Sequence, residues 1–151
     1  MALNAGFVGR RYSTDEPYVV AREKIREFAA AIDESNPACL DQDAARSLGY
    51  PDLVAPPTFP IVLTYRVSVA LVGDPELGLD YSRVVHGEQH FAYTRPIVAG
   101  DELNCVLTIA DIRQAAGNDI ITTQTQITSI TGEPVCVATS TLVARGTAGE
   151  E

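Results

Sequence analysis

The sequence predicts an α+β protein in which a curved antiparallel β-sheet wraps around one long buried helix. Helical patterns fill the first half of the chain and alternating strand patterns fill the second half. A long apolar stretch near the middle is large enough to cover one face of such a sheet. With 151 residues, the chain has the length of one domain. We expect that domain over residues 1–146 and a flexible acidic tail over 147–151.

The first predicted helix spans Ala21–Ile32 and follows a short strand at Tyr18–Val20. Its apolar residues recur at i, i+3, i+4 and i+7, namely Ile25, Phe28, Ala29 and Ile32. The turn-forming segment Asp33–Pro37 ends this helix, because proline disfavours a helical conformation in the residue before it. A shorter helix is predicted over Asp41–Leu48, with Gly49 at its C-terminal end.

The central stretch from Thr58 to Val72 is predicted to be a buried helix. It is apolar nearly all round and about 15 residues long, which favours a helix over a strand. Pro56 and Pro57 keep the preceding chain extended, and Pro60 suits the first helical turn.

The second half of the chain alternates with the period of two that is typical of strands. Strands are predicted over residues 86–93, 103–110, 121–128 and 135–143, with hairpin turns at Gly117-Asn118 and Thr131–Pro134. An antiparallel sheet around one helix is the hot-dog arrangement. Such a sheet keeps an open edge, which we expect to pair with a second copy or a homologous domain.

Composition excludes several classes of function. There are 11 basic and 20 acidic residues, a net charge of −9, which argues against nucleic-acid and anionic-membrane binding. No apolar run is long enough for a membrane span, and no signal peptide is recognisable, so we expect a cytoplasmic protein. Cys39, Cys105 and Cys136 are widely spaced, and only two histidines are present, so we expect reduced thiols and no metal site. The nucleotide-binding glycine motifs are absent, and no cofactor is expected.

Four stretches carry a family resemblance: Tyr18–Ala29, Asn36–Ala38, Leu53–Phe59 and Arg95–Asp101. Together they resemble the MaoC-like hot-dog dehydratases and hydratases, and most of all the HadA-type subunit of actinobacterial (3R)-hydroxyacyl-ACP dehydratases. The resemblance covers about residues 3–146. It implies acyl thioesters of coenzyme A or acyl carrier protein as substrates, and reversible loss of water between C2 and C3.

The family's catalytic dyad does not carry over onto this sequence. The resemblance implies an Asp-x-Asn-Pro-aliphatic-His motif after the first helix, and Asn36-Pro37 fixes the register. The family's aspartate then falls on Glu34, and its histidine falls on Cys39; Asp33 supplies the acid only after a slip of one residue. A neutral thiol is a poor proton shuttle. This departure matches the HadA type, whose smaller hot-dog partner subunit brings the Asp–His pair.

The resemblance also implies substrate-binding positions. Backbone N–H groups at the start of the central helix polarise the thioester carbonyl in the family, and here Thr58 and Phe59 are the candidates because Pro57 has no N–H. Asn36 is a further candidate, and Tyr65 is a candidate for lining the acyl tunnel. Structural roles compete with each of these: Asp33, Glu34 and Asn36 as turn residues, and Cys39 and Tyr65 as core residues.

Two further interpretations concern groups outside this motif. His86 and His90 are expected on one face of a strand, with surface or hydrogen-bonding roles. Arg83, Arg95 and Arg113 are either a basic patch for an acidic carrier protein or a phosphopantetheine phosphate, or plain solvated residues.

Three functional hypotheses stay open at this point. The first is a subunit of a (3R)-3-hydroxyacyl-thioester dehydratase, or enoyl hydratase, that shapes the acyl tunnel for a dyad-bearing partner. The second is a non-catalytic homodimer that binds acyl thioesters. The third is a self-sufficient hydratase that uses Asp33 or Glu34.

Overall fold

The computed structural model describes residues 3–148 and has the predicted hot-dog fold, with one antiparallel sheet curled around a central helix. The elements in chain order are β1 (Arg11–Ser13), β2 (Tyr18–Val19), α1 (Arg22–Ala31), α2 (Gln42–Ser47), α3 (Pro60–Val72), β3 (Val84–Tyr93), β4 (Glu102–Ala115), β5 (Asn118–Ser129) and β6 (Pro134–Ala144). Short 3₁₀ helices lie at Ala5–Phe7, Pro37–Cys39 and Tyr81–Arg83. Within residues 3–148, no helix is both long and apolar enough to cross a bilayer.

The helix α1 packs through the predicted stripe, with one correction. Ile25 and Ala29 are fully buried, and Phe28 packs against the core. Ile32 was expected on this stripe, but it is 46% exposed because the helix ends at Ala31 and the chain turns away there. Asp33 makes this turn with a left-handed φ of 55°.

The helix α3 buries one face against the sheet through Pro60, Leu63, Val67 and Leu71. The opposite face is open in the single chain, with Tyr65 63% and Val69 56% exposed. The helix is therefore apolar on a side that its own sheet does not cover. The prediction of a buried helix therefore holds for one face only, because in the single chain nothing among the described residues covers the face with Tyr65 and Val69.

The sheet has the strand order β1-β4-β5-β6-β3, and β2 also pairs with β4. The ten-residue strand β3 is thus an open edge. A bulge at Gly87 shifts its register on β6, because His86 pairs with Leu142 and Glu88 pairs with the next residue, Thr141.

The bulge corrects the expectation that the two histidines share a face. His86 lines a cavity beneath α3, and so does Gln89. His90 follows Gln89 directly and therefore lies on the opposite face.

The two ends of the described chain meet at Asp119, which is fully buried. Its carboxylate accepts hydrogen bonds from the Leu3 N–H at 3.2 Å, the Gln114 amide at 3.1 Å and the Thr147 hydroxyl at 2.7 Å. Thr147, the first residue of the predicted tail, is therefore buried and held on the domain. Residues 149–151 of that tail lie outside the described residues.

Candidate functional site

The segment that aligns with the family dyad forms a tight turn after α1. The Glu34 carboxylate accepts a hydrogen bond from the Asn36 N–H at 2.9 Å. The Asn36 side-chain oxygen accepts one from the Ala38 N–H at 3.1 Å, and the Cys39 N–H donates to the Asn36 carbonyl at 2.9 Å. Asn36 thus caps the 3₁₀ helix Pro37–Cys39 and fixes the direction of the Cys39 side chain.

Cys39 lines a cavity of about 400 Å³, which we call the motif cavity. Its walls come from the dyad segment, the chain before α3 and the end of β3: Asn36, Cys39, Tyr50, Val54, Ala55, Pro57, Tyr93, Thr94, Arg95, Pro96 and Ile97. The dyad segment and the entry to α3 therefore share one cavity within one chain. Asp33 and Glu34 do not line this cavity.

The electrostatics of this turn keep the Cys39 thiol protonated. Burial raises the pKa of Cys39, and the nearby negative charge of Glu34 raises it further. The side chain is only 2% exposed. The two positions that align with the family dyad thus hold a glutamate and a buried, protonated thiol, and a neutral thiol does not replace a histidine as a proton-transfer group.

The entry to α3 presents one free backbone donor. The Phe59 N–H donates to the Pro56 carbonyl at 2.9 Å, whereas the Thr58 N–H has no hydrogen-bond partner within residues 3–148. The Phe59 ring is fully buried and contacts the Phe28 ring edge-on, with 5.4 Å between centroids. Of the two candidate carbonyl-polarising groups, only Thr58 is exposed with its N–H free.

Tyr93 fixes the peptide that carries this donor. The Tyr93 hydroxyl donates to the Pro57 carbonyl at 2.7 Å, and burial is the main cause that raises the pKa of Tyr93 above its ordinary value. The Pro57 carbonyl and the Thr58 N–H belong to the same trans peptide, in which they point in opposite directions. Sequence analysis missed this contact, because it joins positions 36 residues apart.

The segment Arg95–Asp101, which carries part of the family resemblance, is a turn that braces the motif cavity. Arg95 makes a bidentate pair with Asp101 at 2.9 and 3.0 Å and a third bond with Glu133 at 3.1 Å. The backbone of Ala55 donates to the Ile97 carbonyl at 2.8 Å, which ties the chain before α3 to this turn. Arg83 and Arg113 also lie near carboxylates, Asp80 and Asp111, so the three arginines form no shared basic patch of free cations.

A second cavity, the helix cavity, lies between α3 and the inner face of the sheet, with a volume of about 70 Å³. It is lined from α3 by Ile61, Thr64, Tyr65, Ser68, Leu71 and Val72. The remaining walls are Tyr81, His86, Gln89, Leu107, Thr123, Thr125, Ala138, Ser140 and Leu142. Tyr65 therefore lies at this cavity, away from the motif cavity. The alternation of β5 carried a signal for Thr123 and Thr125, since they share a face with two buried isoleucines.

The fold is the hot-dog fold, and the comparisons with known proteins identify the class as that of the hot-dog dehydratases and hydratases. Residues 6–138 match the model of the FAS1-like dehydratase domain region, and the chain belongs to this family. A UPF0336 protein of Saccharopolyspora erythraea is 55% identical over 98% of this chain and 95% of its own length. A UPF0336 protein of Streptomyces coelicolor is 50% identical over 96% of this chain and 97% of its own length.

Solved structures show the same relationship. A chain of the HadBC (3R)-hydroxyacyl-ACP dehydratase complex from Mycobacterium tuberculosis is 33% identical, with a TM-score of 0.82 over 91% of this chain and 96% of that chain. A MaoC-like dehydratase is 37% identical, with a TM-score of 0.86 over 92% of this chain but 42% of that longer chain. The predicted MaoC-like membership and fold class are confirmed.

Proposed function

We propose that this chain is a subunit of a (3R)-3-hydroxyacyl-thioester dehydratase, or of the enoyl hydratase that runs the reverse reaction. In this role it shapes the acyl-binding cavity, and a partner hot-dog subunit supplies the Asp–His dyad. The observation that carries the proposal is that a buried, protonated Cys39 stands at the position of the dyad histidine. Proton transfer next to a thioester needs a general acid–base group, and the buried Cys39 thiol, whose pKa is raised, does not supply one at neutral pH.

The open surface of the chain supports a partner. The edge strand β3 leaves backbone groups unpaired, and the uncovered face of α3 carries exposed Tyr65 and Val69. Exposed Tyr81 and Val85 lie at and near the start of the same edge. An open edge beside an apolar patch is a surface on which a second sheet can pair and bury both. The related HadBC structure is itself a complex.

The substrate would enter at this seam and use the residues that the chain keeps. The free Thr58 N–H, held in place by the Tyr93–Pro57 contact, would donate a hydrogen bond to the thioester oxygen and so stabilise the negative charge that develops there. Asn36 would keep the motif turn in shape, and Tyr65 would line the path of the acyl chain in the helix cavity. The Phe59 ring would support the entry to α3 from within the core.

Hydration of crotonyl-CoA, followed at its ultraviolet absorption band, tests the proposal. The chain is assayed alone and together with a co-expressed Asp–His hot-dog subunit that is inactive or weakly active by itself. We expect activity in the mixture and none with the chain alone. Activity of the chain alone, lost in Glu34→Gln or Asp33→Asn, would establish a self-sufficient hydratase instead. Acyl-CoA binding without turnover in either sample would establish a non-catalytic binding homodimer.

A further inference from the structure

A row of polar side chains crosses the inner face of the sheet where an apolar surface is expected. Thr123 on β5 pairs with Ser140 on β6, and Ser140 pairs with Gln89 on β3. Neighbouring strands lie about 4.8 Å apart, so the three side chains form a continuous stripe. All three line the helix cavity, as does Thr125 on the same face of β5. The neighbouring positions Ile121 and Ile127 on this face are apolar and buried.

The hydroxyls of this stripe have no hydrogen-bond partner among residues 3–148. Thr123 is 5% exposed and Thr125 is 2% exposed, and neither hydroxyl forms a hydrogen bond within residues 3–148. The Ser140 hydroxyl has none there either. The described residues nevertheless contain no sealed side-chain nitrogen or oxygen without a partner, so the two threonine oxygens reach the cavity. Hydroxyls that reach a cavity can bond to water or to a polar group of a ligand, whereas a hydrocarbon placed against them would leave them without a partner, which is costly.

The helix contributes polar groups to the opposite wall. The Thr64 hydroxyl donates to the Ile61 carbonyl at 3.3 Å, and the Ser68 hydroxyl donates to the Tyr65 carbonyl at 2.8 Å. Their protons are used within α3, which leaves their oxygen lone pairs as acceptors toward the cavity. The Gln89 amide nitrogen donates to the Thr139 carbonyl at 3.1 Å, and its oxygen remains an acceptor. The cavity therefore offers donors from the sheet and acceptors from both walls.

The cavity is also small. Its volume of about 70 Å³ is near half of the roughly 150 Å³ of an apolar protein cavity that holds benzene. A fully saturated chain entering here would cover several hydroxyls and satisfy none of them.

From this we propose that the helix cavity selects short acyl groups that carry an oxygen near their end, a hydroxyl or a carbonyl, over purely hydrocarbon chains. This inference rests on the proposed function, because it assigns the acyl group of that substrate to this cavity. Thr123 and Ser140 are its specificity-determining residues.

Binding of matched acyl-CoA pairs to the full chain assembled with a dyad-bearing hot-dog subunit, measured by calorimetry, tests the inference. The probes are ω-hydroxyacyl-CoA esters with four to six acyl carbons, each compared with the ester in which a methyl group replaces the hydroxyl. We expect the hydroxyl member of at least one pair to bind about 3- to 10-fold more tightly, the range that one satisfied hydrogen bond gives. Thr123→Val and, separately, Ser140→Ala should reduce that ratio to about one.

Thr122→Val is the matched control, because Thr122 lies on the same strand but on the opposite face. It should keep the preference of the natural chain. Equal or tighter binding of every methyl member, or tightest binding by decanoyl-CoA, would overturn the inference while leaving the proposed function intact. Failure of every acyl-CoA to bind would instead overturn the proposed function and the inference with it.

Discussion

Replacement of Asp119 by alanine should destabilise the domain more than removal of any exposed carboxylate. The side chain is fully buried, and its two oxygens take hydrogen bonds from Leu3, Gln114 and Thr147 at 2.7–3.2 Å. Each hydrogen bond to a charged group contributes about 1.5–3 kcal/mol to the free energy of unfolding. The cost of burying the carboxylate offsets part of this contribution. We therefore expect a loss of about 3 kcal/mol in the free energy of unfolding.

The measurement is urea unfolding combined with thermal melting at pH 7. A loss of this size corresponds to a fall in Tm of roughly 6–12 °C for a domain of this length. Asp111→Ala is the matched control, because Asp111 is an exposed carboxylate on the neighbouring strand β4 with a loose pair to Arg113 at 3.8 Å. It should change stability by less than about 0.5 kcal/mol. If Asp119→Ala were as stable as the natural chain, the argument that this carboxylate ties the two ends of the domain would be refuted.

Three further predictions concern the interface, the thiols and the entry to α3. Val69→Lys should leave the melting temperature of the monomer nearly unchanged, because Val69 is already 56% exposed in the single chain. It should weaken association at least about tenfold in analytical ultracentrifugation, because it places a charge on the apolar face of α3. Undiminished association would contradict an interface at α3. Burial raises the pKa of Cys105 to about 12, so the folded protein favours the protonated thiol. The free energy of unfolding should therefore fall as pH rises above about 8.5, by up to about 1.4 kcal/mol per pH unit, and it should fall less steeply in Cys105→Ala. Equal slopes in the two proteins would contradict a role for this thiol in the pH dependence. Tyr93→Phe should lower the free energy of unfolding by about 1 kcal/mol, because the Pro57 carbonyl loses its hydrogen bond. In the assembled enzyme it should lower kcat for hydration by a larger factor than it changes KM. An unchanged kcat would show that Tyr93 does not position the Thr58 N–H.

The sequence predicted the elements whose patterns are local. The stripe of α1 and the alternation of β5 are set by neighbours a few residues apart, so both segments were identified. β1 was missed because it has three residues, too few for a period to appear. Ile32 was misplaced because the helix ends one residue earlier, at Ala31. The shared face of His86 and His90 failed because one bulge at Gly87 reverses the alternation.

The candidate site was predictable only in part. The motif register aligned Glu34 and Cys39 with the two dyad positions, and the structure adds that the Cys39 thiol is buried and that its pKa is raised. The Tyr93–Pro57 contact and the polar row from Thr123 to Gln89 depend on register across strands, which no local pattern specifies.

The most direct test of the central claim asks which chain holds the proton-transfer groups. The hydration rate of crotonyl-CoA is measured for the complex of this chain with a dyad-bearing hot-dog subunit. One sample carries Glu34→Gln and Cys39→Ala in this chain, and a second carries an alanine in place of the dyad histidine of the added subunit. The account predicts a rate within about twofold of the unmodified complex in the first sample and a loss of roughly 100-fold or more in the second. A large loss in the first sample would contradict it.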